Sequence, residues 1–240
     1  MHFVFLAAGK GKRIYRNIKT NKCLIKINNK TIIESLIENI PKSKRNKITI
    51  VTGFNSNKII KKTKKYKVNY IHNSKFQTTE MVETLKIALK KINEDILFSY
   101  SDILYTKEII SKIQKNNNNK ILVPININWR QIWKIRNKAV FNDAESLIIN
   151  KNRILEIGNK IKNIEKVQGQ FMGLLFIPKL LRETILKLLN NKKFKKFQTT
   201  KLLNYLIKKG FFISAIRSKS HWYEFDDLDD LNNYRKHFKN

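Results

Sequence analysis

Two glycines and three cations crowd into "GKGKR" at 9–13, directly after the apolar run Phe3 to Ala8. Gly9 and Gly11 let the backbone come close to a bound group, and Lys10, Lys12 and Arg13 make that group an anion. A phosphate at the exit of a strand is one reading, and an ordinary loop between strand and helix is the other. Lys22 and Lys26, in "NKCLIKI", add cations shortly downstream. Asp102 closes the apolar run "DILFSYSD", where a carboxylate serves as a metal ligand, a helix cap or a solvated turn. Near the end, "HWYEFDDLDDL" concentrates Glu224, Asp226, Asp227, Asp229 and Asp230 in a chain with only 18 acids. Some of these suit the start of a last helix, where acids complement the dipole. Glu224 and Asp226 flank Phe225 at strand-like spacing and share a face. A basic glycine loop with two separated acidic strand ends fits a nucleotide phosphate chain held by backbone amides, lysines and Mg²⁺. The ATP-binding P-loop is excluded because no GxxxxGK[ST] occurs, and a nicotinamide site is disfavoured because the third glycine is missing from "GKGKRI".

These residues need strands to end near one another. Strand-like runs recur as "HFVFLAA", "KITIVTG", "KVNYIH", "DILFSYSD", "KILVPIN", "GLLFIP" and "FFISAI". Between several of them lie "TIIESLIENI", "TEMVETLKIALKKI", "TKEIISKIQKN" and "PKLLRETILKLLN", whose apolar spacing is helical; Met81, Leu85 and Leu89 share one face. Alternation of strands and helices predicts an α/β fold, a mostly parallel mixed sheet covered on both faces. In such sheets ligands bind at the carboxyl ends of the strands. From 129 to 166 the pattern loosens, so a single domain over 1–240 is expected, with that stretch as an inserted lid or small β region. "KNNNNK" at 115–120 reads as a surface loop.

Composition narrows the partners. The chain of 240 residues holds 50 Lys and Arg against 18 acids, a formal charge of +32. The lysines are spread along the chain among asparagines and form no basic arm with interleaved aromatics, so specific nucleic-acid binding is not expected. No apolar stretch approaches the roughly 20 residues of a membrane span, and "HFVFLAA" is too short for a signal peptide, which points to the cytoplasm. Cys23 is the sole cysteine, so neither an internal disulfide nor a cysteine zinc cluster can form, and a small core side chain is the simpler role for it. His2, His72 and His237 lack partners for a metal site; His221, beside the acids, reads as structural. Trp129, Trp133, Tyr100 and Tyr105 are either core residues or an aromatic wall for a cationic head group.

Taken in order, the motifs resemble a known family. "LAAGKGKRI" followed by the lysine of "NKCLIKI" is similar to the signature of the nucleotidyltransferases that activate sugar phosphates and alcohol phosphates. "NSKFQTTEMVETLKIAL", "SYSDILY", "NDAESLIINKNRILEIGNK", "VQGQFMGLL" and "HWYEFDDLDDL" resemble the cytidylyltransferase branch, which includes enzymes for phosphocholine, 2-aminoethylphosphonate and glutamine phosphate. The likeness runs from about residue 3 to residue 235.

The resemblance implies a Rossmann-like α/β/α sandwich and a site by position. Leu6, Ala7, Ala8, Gly9, Gly11, Lys12 and Arg13 would wrap the triphosphate of CTP, with Lys22 neutralising it and Ser101 beside it. Thr78, Thr79, Glu80 and Thr84 would line the nucleoside. Asp102 and Asp226 would hold Mg²⁺, with Glu224 a further ligand. Tyr100, Trp129, Arg136, Asp143, Glu145, Lys160, Gln170 and Gly173 would form the acceptor side, Lys160 facing the acceptor's phosphate; Arg13, Lys22, Asp102 and Lys160 would act in catalysis. CMP would pass from CTP to a small phosphonate or phosphate, serving cell-surface polysaccharide or lipid modification, in a chain that could pair as a homodimer. A sugar 1-phosphate acceptor is the alternative within the family, and charge-driven nucleic-acid binding the alternative outside it. Asparagine replacement of Asp102 or Asp226 is then expected to cost turnover and little thermal stability. Three positions depart from the family pattern: Glu80 stands for its usual asparagine, Asn21 for the proline before the signature lysine, and "NKAVF" at 137–141 for "DDPL".

Overall fold

In the first strand, β1 (His2–Ala7), every residue is buried. Phe3 and Phe5 join one apolar cluster while Val4 and Leu6 join another, because successive side chains of a strand point to opposite faces. A layer of helices must therefore cover each face, giving the α/β/α sandwich. The computed structural model describes residues 1–43 and 46–238.

After β1 come α1 (Lys12–Ile18), the short pair β2 (Lys26–Ile27) and β3 (Lys30–Thr31), α2 (Ile32–Glu38), β4 (Lys47–Thr52), α3 (Ser56–Thr63) and β5 (Asn69–His72). Then follow α4 (Met81–Lys91), β6 (Ile96–Tyr100), β7 (Ile103–Tyr105), α5 (Lys107–Lys115), β8 (Ile121–Asn126), α6 (Trp129–Arg136), α7 (Val140–Asp143), β9 (Glu145–Asn150) and β10 (Arg153–Lys160). The chain closes with β11 (Gln170–Phe171), β12 (Leu174–Ile177), α8 (Lys179–Leu189), α9 (Thr199–Lys208), β13 (Ile213–Ser218), β14 (Trp222–Glu224) and α10 (Leu228–His237).

The main sheet runs β5-β4-β1-β6-β12-β8-β13-β10-β9, with β11 added on β8. β5, β4, β1 and β6 are parallel, as are β8 and β13; β12 lies antiparallel between β6 and β8, and β10 antiparallel to β13. The apolar runs expected as strands are strands. The order reverses beside β1, between β4 on one side and β6 on the other, which opens a crevice at the carboxyl ends of β1 and β6. Helix α4 buries Val82, Leu85 and Leu89 against the sheet. Thr31 starts α2 through a capping box with Glu34.

Residues 129–166 fold as two α-helices, the β9–β10 hairpin and a short 3₁₀ turn at Ile164–Lys166. This hairpin extends the edge of the main sheet through Arg153 paired with Ser214. A second, two-stranded sheet forms at the rim, where Trp222, Tyr223 and Glu224 of β14 pair with Tyr105, Leu104 and Ile103 of β7. Asp102 immediately precedes β7, and Asp226 follows β14 by two positions. The Phe225 N–H donates to the Asp102 carbonyl at 3.0 Å. That ladder draws together two acids far apart in sequence.

Candidate active site

A cavity of about 740 Å³ opens at the carboxyl ends of β1 and β6. Its floor is the stretch from Leu6 through Gly9, Gly11, Lys12 and Arg13, with Ser101 and Asp102 alongside. Ser101 donates its hydroxyl to the Leu6 carbonyl at 2.9 Å, so it ties β6 to β1 beneath the loop. Gly11 has φ of 62°, in the left-handed region that glycine adopts without steric cost. A Cβ on it would stand 2.6 Å from Lys22 Cγ. Replacement of Gly11 by alanine is therefore expected to cost roughly 1–2 kcal/mol of stability from backbone strain and to push Lys22 aside. The expected readouts are a lower Tm and a raised KM for the nucleotide; an unchanged KM would show that the loop does not depend on Lys22's position.

Lys22 is the hub of the floor. Its Nζ donates to Asp102 Oδ2 and to Asp226 Oδ1, both at 2.9 Å. Burial works against its charge, but Asp102 and Asp226 outweigh that and hold its pKa above the ordinary lysine value. Arg13, more exposed, reaches Asp226 Oδ1 at 3.0 Å. The Asp226 carboxyl is opposed by burial, yet Lys22, Arg13 and Arg136 hold it down at about 2. Glu224 behaves oppositely: burial and the nearby Asp226 charge push its pKa well above the usual carboxylate range. The convergence read from "SYSDILY" and "HWYEFDDLDDL" is present, and a cation already sits between the two carboxylates.

The other acids of the cluster do structural work. Asp227 caps α10 in a capping box with Asp230, and Asp230 is fully buried. His221 packs against Tyr234 and Phe238, away from the cavity wall. Cys23 borders the cavity, but burial pushes its thiol up to about 12, so it is not a nucleophile at neutral pH.

One side of the cavity is made by Thr79, Glu80, Met81 and Thr84 at the start of α4. Asn73 donates to Thr84 Oγ1 at 3.1 Å, and Gln198 donates to Glu80 Oε2 at 2.7 Å. Thr78 is exposed, bonds Lys75, and does not line the wall. The opposite side is formed by Trp133, Asp143, Glu145 and Glu224 with Tyr100 and Phe171. Gln170 fixes the Glu145 backbone at both ends, accepting from its N–H at 3.0 Å and donating to its carbonyl at 2.6 Å. Thr200 donates to Glu145 Oε1 at 3.1 Å, and burial raises the Glu145 pKa. Gly173, also with positive φ, allows Tyr100 to lie where a Cβ would press within 3.1 Å of its ring.

Three residues expected on the acceptor side stand elsewhere. Trp129 is wholly buried in the core; Trp133, one helical turn on, is the indole that borders the cavity. Arg136 is enclosed behind the wall and touches its carboxylates from the back. Lys160 is exposed on β10 and off the wall, although it pairs across the ladder with Glu145. Sequence reasoning passed over Phe76, Gln198 and Thr200, which line the cavity but carry no signal beyond their position. The paired indoles of α6 did carry a signal, since residues four apart share a helix face.

Known proteins place this architecture. Residues 3–202 match the MobA-like NTP transferase domain. The CTP:phosphoglutamine cytidylyltransferase of Campylobacter jejuni is 30% identical, over 96% of this chain and 98% of that protein. The CTP:phosphocholine cytidylyltransferase of Streptococcus pneumoniae superposes with a TM-score of 0.75 at 17% identity, covering 99% of each chain. The inositol-1-phosphate CTP transferase of T. maritima superposes with a TM-score of 0.74 at 15% identity, over 96% of this chain and 91% of that one. With the match spanning most of the sheet and the whole glycine loop, the chain belongs to the MobA-like NTP transferase family and is a nucleotidyltransferase.

Proposed function

We propose that this enzyme transfers CMP from CTP to a small acceptor that carries a phosphate or phosphonate at one end and a cationic group at the other, glutamine phosphate first among candidates. One observation carries the reading: the cavity is cationic at the glycine loop and has acidic and aromatic side chains on the far wall, whose carboxyls a bound cation would hold ionised. Gly9 to Arg13 with Lys22 suit a triphosphate. Trp133, Asp143, Glu145 and Glu224 suit an ammonium group. The phosphoglutamine enzyme at 30% identity supports both the nucleotide and this acceptor. Directly opposed residues of an antiparallel pair share a face. The ladder pair with Glu145 keeps Lys160 near the rim, and a role for it toward the acceptor's phosphate is part of this proposal.

The acceptor's phosphate oxygen is already ionised at neutral pH and needs no general base. It attacks the α-phosphorus, the bond to the bridging oxygen of the β-phosphate breaks, and pyrophosphate leaves with that electron pair. The loop and Lys22 hold the triphosphate, and the far wall orients the acceptor for in-line approach, so the chain works by positioning two anions and offsetting their charge. Enzymes of this kind generally use a divalent metal. The donor set here fits one: Asp102 Oδ2 and Asp226 Oδ1 bracket a single point now filled by an ammonium nitrogen, and both are hard oxygens. Among the described residues no group of three or more acidic, histidine or cysteine ligands forms a fuller cage. Mg²⁺ prefers such a sparse site completed by substrate phosphates. Bound there, it would neutralise charge that builds on the α-phosphate. Among the described residues no helix is long and apolar enough to cross a membrane, and we place the reaction in the cytoplasm.

The test is pyrophosphate release from CTP and Mg²⁺ with a panel of acceptors. Turnover is expected with at least one of glutamine phosphate, phosphocholine and 2-aminoethylphosphonate, and with CTP in preference to ATP or GTP. Turnover of glucose 1-phosphate but none of the three would overturn the acceptor class.

A further inference from the structure

Arg136 ends α6 with its side chain fully enclosed. Its Nε donates to Asp230 Oδ1 at 2.9 Å, and its Nη2 donates to Asp230 Oδ2 at 3.1 Å and to Asp226 Oδ2 at 3.2 Å. Asp230, equally enclosed, accepts the backbone N–H of Asp226 at 2.8 Å and that of Asp227 at 3.3 Å. One buried guanidinium–carboxylate pair thus holds both the backbone and the side chain of Asp226. The two oxygens of that carboxylate divide their partners. Oδ2 faces Arg136, whereas Oδ1 faces Lys22 and Arg13 in the cavity.

The remaining nitrogen of Arg136, Nη1, is buried without a hydrogen-bond partner. It lies 3.6 Å from Asp143 and 3.7 Å from Glu224, two carboxylates of the acceptor wall. The guanidinium also stacks 5.0 Å from the ring of Trp133. A single cation therefore backs Asp226 on the nucleotide side and Asp143, Glu224 and Trp133 on the acceptor side. Carboxylates gathered this closely repel one another unless a counter-charge lies behind them.

We infer that Arg136 is a positioning residue for cation binding: it takes one oxygen of Asp226 and so turns the other toward the point shared with Asp102. The terminal torsion of an aspartate is broad, so without this clamp the carboxylate plane could rotate and hold neither oxygen on that point. Arg136 touches neither the cavity space nor a substrate; it acts through Asp226. This inference rests on the metal-assisted reading proposed above.

The experiment compares wild type with Arg136→Met, Arg136→Lys and Lys138→Met. Lys138 pairs with Asp227 and, at 3.5 Å, with the same Asp230, but with no oxygen of Asp226. It controls for general loosening of the network. Groups that orient metal ligands typically change metal affinity about 10- to 100-fold. Both Arg136 variants are expected to need at least about tenfold more Mg²⁺ for half-maximal pyrophosphate release. In thermal-shift measurements, the Tm rise that CTP gives in EDTA should survive in them, while the further rise on adding Mn²⁺ should shrink. Lys138→Met should lower the Tm yet keep the wild-type metal requirement. A folded Arg136 variant with wild-type metal dependence would overturn the inference. Should Arg136→Met not fold, Arg136→Lys keeps the charge but lacks the planar fork that grips both oxygens of Asp230 while reaching Asp226, and it carries the same expectation. Wild-type protein without metal-dependent CTP turnover would instead sink the functional reading. In that case Mn²⁺ titration by electron paramagnetic resonance, without nucleotide, still separates wild type from Arg136→Lys: weaker binding in the variant supports the clamp, and equal binding refutes it.

Discussion

Asparagine at position 226 is expected to lower turnover by about 10²–10³, the usual effect of removing one preorganised electrostatic group from a reaction site. Asp226 meets Lys22, Arg13 and Arg136, at 2.9, 3.0 and 3.2 Å. The amide keeps the shape but cannot neutralise three cations or serve a divalent ion. Asp102→Asn should show a similar loss of turnover. Its thermal behaviour should differ, because among the described residues Asp102 pairs with no charged side chain but Lys22, whereas Asp226 belongs to the buried Arg136 network. A nearly unchanged Tm is therefore expected for Asp102→Asn, whereas for Asp226→Asn about 1.5–3 kcal/mol is at stake, the range for a hydrogen-bonded charged group. The pH dependence has a definite sign. The Asp226 carboxyl sits at about 2 in the folded protein, below the ordinary carboxylate range. Its stabilising contribution is complete above the unfolded value of about 4 and disappears as pH falls through the folded value. The Tm gap between wild type and Asp226→Asn should be full at pH 6 and close progressively from pH 4 toward 2. Turnover and Mg²⁺ response identical to wild type in both variants would end the assignment of these carboxylates.

Replacing Lys22 by methionine should produce two effects of opposite sense. Turnover should fall on the order of 10²-fold with every acceptor, because one lost contact to charged phosphate oxygens is worth roughly 1.5–3 kcal/mol and the nucleotide is common to all of them. Binding of Mn²⁺ to the nucleotide-free protein should tighten, since Asp102 and Asp226 lose the ammonium that now occupies the point between them. Two facing carboxylates without a counter-cation favour a metal ion strongly. Electron paramagnetic resonance of a Mn²⁺ titration reads this directly. Weaker or unchanged Mn²⁺ binding would show that the two acids do not form a cation site. Full activity of the variant would remove Lys22 from the phosphate floor.

Much of this molecule is legible without coordinates. The strands announce themselves as short apolar runs, and "GKGKR" follows the first of them, because a chain leaving a buried strand must turn and only local residues decide how. Asp102 and the acid cluster stand out because carboxylates are scarce here. The same local signals could not divide that cluster into its roles. Asp227 and Asp230 cap a helix while Asp226 faces the cavity, and only the packing of α10 against α6 tells them apart. Nor could spacing choose between Trp129 and Trp133, since both lie on one face of α6 and differ only in which is covered by the core. Arg136 is an acceptor contact by family resemblance alone; in the fold it is enclosed and faces carboxylates of this same chain. The meeting of Asp102 with Asp226 rests on the β7–β14 ladder, a pairing between segments far apart in sequence. Periodicity and turn chemistry are local, so they determine the elements and their ends. Which ends meet, and which cation lies between them, is decided by long-range strand pairing and burial, and these exist only once the chain has closed on itself.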